Sequence, residues 1–117
     1  MNINAITNVN FRAKVSSEFQ QAAKRYYDKQ NRPEQYELDF QSKVDEYKLF
    51  GNQNMSVEYR TLTQHGQKMH ALYITEPGQE PVLLSKKDMF RKLVDKFMNV
   101  NEYEFNIKVE QARNEDY

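Results

Sequence analysis

His65 and His70 are the two histidines of the chain and the first side chains whose chemistry could be acid–base or metal-binding work. His65 falls in the turn-like Gln64-His65-Gly66, and His70 falls on the strand pattern that follows, so a hairpin would bring them near each other. A catalytic zinc site ordinarily takes three protein ligands, and there is no third histidine. Glu58 or Glu76 could add a carboxylate, yet nothing in the spacing selects either. A turn residue and a strand-surface residue is the preferred reading. The paired carboxylates Asp45-Glu46 and Glu115-Asp116 would need burial or a neighbouring charge to tune them for general acid–base catalysis. The first pair lies beside Lys43 and Lys48 on the polar side of an expected helix, and the second lies near the chain end. Both read as solvated. With glycines only at 51, 66 and 78 there is no Gly-rich phosphate loop, and no nucleophile elbow appears. The sequence therefore assigns no catalytic residue, no metal ligand and no cofactor, and it leans away from an enzyme. A small enzyme using Tyr and His chemistry stands as the weakest of three functional readings.

Two surfaces carry the others. From Met69 to Thr75 the expected strand is apolar on both sides: Met69, Ala71 and Tyr73 alternate with His70, Leu72 and Ile74. A strand with one wet face should alternate apolar with polar, so either both faces are covered within the monomer or one lies against a partner. Tyr59 on the preceding strand would extend the patch if register sets it beside Tyr73, and tyrosine is enriched at interfaces. Tyr59, Met69, Ala71 and Tyr73 are accordingly the expected contact residues for a protein partner or a second copy of the chain.

The alternative surface is basic. Lys86, Lys87, Arg91, Lys92 and Lys96 outnumber Asp88 and Asp95 along an expected helix, and single-stranded nucleic acid binds to such cations with aromatic stacking beside them. Against this, Asp88-Lys92 and Arg91-Asp95 are ordinary i,i+4 pairs, and 17 basic residues balance 17 acidic ones. Nucleic acid is the runner-up.

The elements that must position these residues follow from periodicity and caps. Residues 1–14 read as a flexible or docked N-terminal arm, with Val9, Phe11, Ala13 and Val15 alternating. A helix opens at Ser16 or Ser17, where Ser17 with Gln20 fits a capping box, and its stripe is Phe19, Ala22, Ala23 and Tyr26. A second helix runs from about Pro33 to Phe50 with Gly51 as its terminator. Three strands follow, turning at His65-Gly66 and at Glu76-Pro77-Gly78-Gln79 and ending with Val82-Leu83-Leu84. Ser85 with Asp88 then opens a third helix lined by Met89, Leu93 and Phe97. Tyr103, Phe105, Ile107 and Val109 alternate with polar residues as a final strand, and 112–117 reads as a polar tail. The order is α-α-β-β-β-α-β: one α+β domain over 15–111, with helices on an antiparallel sheet of three to four strands.

Composition bounds the core and the setting. Leu, Ile, Val and Phe make up 26 of 117 residues, so burial must lean on eight Tyr and seven Phe. The absence of cysteine excludes disulfides and thiolate chemistry. No apolar run is long enough to span a bilayer and no secretory signal is visible, which together favour a cytoplasmic protein. The leading expectation is a small non-enzymatic interaction module that engages its partner through an aromatic sheet face.

Overall fold

Ser16 ends an extended segment and begins a helix: its backbone is still extended, and its hydroxyl accepts a hydrogen bond from the Phe19 amide at 3.3 Å. The computed structural model in which this is seen describes residues 11–114, and the expectations that fall on 1–10 and 115–117 lie outside the described residues. Just before the cap, β1 (Lys14–Val15) pairs in parallel with β2 (Ser56–Gln64), setting Lys14 beside Ser56 and Val15 beside Val57. The approach to β1 is held as well, with the Arg12 amide donating to the Lys48 carbonyl and Ala13 to that of Phe50. The sheet is thus mixed, where an antiparallel one was expected.

Helix α1 (Ser17–Lys29) buries Phe19, Ala23 and Tyr27. The expected partner of Ser17, Gln20, uses its amide instead to donate to the Val15 carbonyl at 2.9 Å. Helix α2 covers 33–47 in three joined parts: Pro33–Gln35, a π-helical turn over Tyr36–Phe40, and Gln41–Tyr47. In the wider turn the Gln41 amide reaches back to the Tyr36 carbonyl, and Tyr36, Phe40, Val44 and Tyr47 are all buried in the core. The helix stops at Tyr47, short of the expected Phe50, because tighter bonds from Leu49 to Glu46 and from Phe50 to Tyr47 replace the helical ladder. Gly51 then takes φ +59°, the left-handed conformation its position was expected to require.

Strands β2 and β3 (Gln67–Thr75) form an antiparallel hairpin, closed by His65 and Gly66. Both turn residues have positive φ, as a two-residue turn that matches strand twist demands. Strand β4 (Val82–Lys87) pairs antiparallel to β3 with an irregularity opposite Leu72 and Tyr73. The sheet order is β1-β2-β3-β4.

Two expectations fail beyond β4. Ser85 does not open a helix. It lies in β4 opposite Leu72 and is buried, so α3 (Phe90–Asn99) begins later and Lys86 and Lys87 are strand residues. The expected last strand is a helix, α4 (Glu102–Asn114), and it also takes in Ala112 to Asn114 of the expected tail. Asn101 caps it through its side-chain oxygen, which accepts from the Glu104 amide at 2.8 Å. Helical geometry puts Phe105, Val109 and Ala112 on the core side, while Tyr103 is 75% exposed. The fold is α+β in the order β-α-α-β-β-β-α-α.

One face of the sheet carries Val57, Tyr59, Leu72 and Ile74 against α1 and α3. Phe97 is the hub of the core. Its ring stacks on Tyr47 at 4.4 Å and on Phe40 at 5.0 Å, and it meets Phe19 edge-on. Aromatic rings thus supply much of the area that the lean aliphatic content cannot.

Candidate functional site

The opposite face of the sheet is built from alternate residues of three strands. Register sets Glu58 beside Tyr73, Arg60 beside Ala71 and Leu62 beside Met69, with Leu83 and Lys86 of β4 flanking Tyr73 and Ala71. Leu62, Met69 and Tyr73 are half-buried, and Leu83 is 41% exposed. Ala71 is fully buried yet lies outside the hydrophobic core cluster, consistent with its place between the long side chains of Arg60 and Lys86. The Arg60 guanidinium sits 5.1 Å from the centre of the Tyr73 ring. Among the described residues, this face is a half-exposed apolar strip crossed by one cation–aromatic pair.

Its β4 border is basic. A cleft of about 350 Å³ runs along Leu83 and Lys86 toward Lys108 of α4. Lys96, also on the cleft, is paired with Glu104, whereas neither Lys86 nor Lys108 forms an ion pair among the described residues.

Of the four expected contact residues, the structure brings together Met69, Ala71 and Tyr73. Tyr59 is registered with Leu72 and turns to the core side, where its ring packs on Phe19 and Phe90. The Tyr59 hydroxyl and His70 Nδ1 lie 2.7 Å apart with their rings nearly parallel. Burial pushes the Tyr59 phenol up, partly offset by Arg25. Burial and the like charge of Lys68 push His70 down, so the two form a neutral pair near pH 7. His65 is a turn residue and has no place in this pair.

The basic residues do not form one open stripe. Lys92 pairs with Asp88 at 3.0 Å, Arg91 with Asp95 at 3.9 Å and Lys96 with Glu104, while Lys86 and Lys87 belong to a different element. The Lys92 hydrogen bond holds Asp88 below its usual value. Asp45 and Glu46 are likewise occupied, by Lys48 and Lys43. Sequence reasoning passed over Arg25 and Lys29, which share a face of α1 by their i,i+4 spacing and approach Lys68 across Tyr59 and His70.

No cluster of three or more metal-ligating side chains occurs among the described residues, and none of their helices is long and apolar enough to cross a membrane. The fold and this face define a small α+β domain with a half-exposed sheet surface. No protein family, curated protein or solved structure matches the chain.

Proposed function

We propose that the chain is a small non-enzymatic protein-interaction module that binds its partner through the outer sheet face, with Met69, Ala71 and Tyr73 at the centre. The observation that carries this reading is the half-buried state of Tyr73 and Met69 on the side of the sheet away from the core. Tyr, Met and Arg are the residue types enriched at interface centres, and Arg60 over Tyr73 combines two of them. Tyr59 supports the sheet from the inner side. Lys86 and Lys108 at the border favour a partner with an acidic rim. A cytoplasmic setting fits a chain without cysteine.

The nucleic-acid reading has less support, because three of its five cations are already ion-paired. Light scattering and affinity capture with wild type, Tyr73→Glu and Leu38→Glu test the proposal, Leu38 being an exposed residue of α2. The reading predicts a monomer, and a protein retained by wild type and Leu38→Glu but lost from Tyr73→Glu at unchanged melting temperature. Identical capture profiles for all three would refute it.

A further inference from the structure

A second concave region lies on the core side of the hairpin, where α1 passes over β2 and β3. It is a cleft of about 350 Å³, at the small end of the range for small-molecule sites. Arg25 and Lys29 line it from α1 and Lys68 from β3. None of these three cations forms an ion pair among the described residues, and no carboxylate lines the cleft. Seven of the other fourteen basic residues are ion-paired among the described residues, as Lys43 is with Glu46 and Lys92 with Asp88. Three like charges gathered on one concavity raise a local positive potential, which an anion relieves.

The floor is aromatic. The Tyr59 and His70 rings are parallel to within 3°, and Phe90 meets both edge-on at 5.5 and 5.8 Å. Tyr26 packs on Phe90 from the α1 side. The polar edge of this floor is the hydrogen-bonded Tyr59–His70 pair. Cations at the mouth suit a dianionic phosphate, for which the Arg25 fork offers two parallel hydrogen bonds. Aromatic rings beneath suit a ring attached to that phosphate, and the volume limits the ligand to roughly one ring system with its sugar.

We propose that this cleft binds a nucleoside monophosphate, with its phosphate among Arg25, Lys29 and Lys68 and its base against Phe90 and Tyr26. The site shares no residue with the outer face and is independent of the interaction proposed there.

The test is calorimetric titration of the full chain with AMP, GMP, CMP and UMP, alongside adenosine, inorganic phosphate, phosphotyrosine and a mixed oligonucleotide. At least one monophosphate is expected to bind about tenfold or more tightly than adenosine, inorganic phosphate or phosphotyrosine, and to weaken as salt is raised. Arg25→Gln and Lys68→Gln, both exposed positions, each weaken it about tenfold at unchanged melting temperature. Tyr73→Glu leaves it unchanged. The proposal is overturned if no monophosphate binds at millimolar concentration or if the Arg25 and Lys68 variants bind as wild type does. Phosphotyrosine or inorganic phosphate binding as tightly also overturns it, as does an oligonucleotide binding more tightly.

Discussion

Tyr59 and Tyr73 stand on adjacent strands of one sheet with their side chains on opposite faces, because Tyr59 is registered with Leu72 and Tyr73 with Glu58. Strand side chains alternate, so an odd offset in register separates two tyrosines that their sequence context would group together. The separation divides structural work from surface work. Tyr59 joins the aromatic packing of α1 and α3, while Tyr73 is left under Arg60 on the outer side.

Truncating the two tyrosines should therefore have unequal effects on stability. Tyr59→Ala removes ring contacts to Phe19 and Phe90 and the hydrogen bond to His70, at a cost of about 2–3 kcal/mol. Tyr73→Ala, on the outer face, costs less than about 1 kcal/mol. Urea unfolding monitored by circular dichroism reads both values, and equal losses would mean that both faces are structurally covered.

Tyr47 is the most constrained ring in the core. Its hydroxyl donates to the Phe97 carbonyl at 2.8 Å, near the α3 C-terminus, where carbonyls lack helical partners. Burial, with Glu104 and Glu46 nearby, pushes its phenol far above the usual value, so it stays a neutral donor. Tyr47→Phe keeps the stacking and leaves that carbonyl unpaired, costing about 1–2 kcal/mol by chemical denaturation.

Gly51 is fixed by both conformation and space. Its φ is +59°, and a Cβ there would fall 2.5 Å from Met55 Sδ and 2.8 Å from a Phe105 ring carbon. Gly51→Ala should destabilise by roughly 2 kcal/mol or more, combining left-handed strain with displacement of Phe105. Thermal unfolding checks this, and an unchanged midpoint would show that α4 shifts away without penalty.

His70 makes stability depend on pH in a defined direction. Its folded-state value lies below 6.5, chiefly through burial and then through Lys68. The groups that face it are Tyr59, Phe90, Lys68, Lys87 registered opposite it on β4, and the Arg25 and Lys29 side of α1, none of them a carboxylate. The unfolded chain therefore takes up the proton first, and the contribution of His70 is present above pH 6.5 and lost as pH falls below it. Melting temperatures of wild type and His70→Gln measured from pH 7.5 to 5.5 should converge toward the acid end. A constant difference across that range would contradict the prediction.

The fold was legible where one residue settles a local choice. Ser16, Pro33, the His65-Gly66 turn and Gly51 each mark a boundary that the structure retains within a residue or a few. It was not legible over 102–114, where Tyr103, Phe105, Ile107 and Val109 alternate as a strand does. The competing signal was local: Asn101 with Glu104 three residues on is a capping pair, and Phe105, Val109 and Ala112 fall on one helical face. Packing of Phe105 against Tyr47 and Phe50 decides for the helix, and that contact is far apart in sequence. The candidate face was legible strand by strand, through Met69, Ala71 and Tyr73. Its extension was not, since Arg60 and Leu62 enter by register and Lys108 by the position of α4.

The central claim, that a protein partner covers the outer sheet face, is tested most directly by placing a photo-cross-linking amino acid at position 73 in cells. A second sample carries it at position 38, where Leu38 is exposed on α2. The account predicts a discrete adduct with another protein from position 73 that is absent from position 38. No adduct from position 73, or the same adducts from both positions, would contradict it.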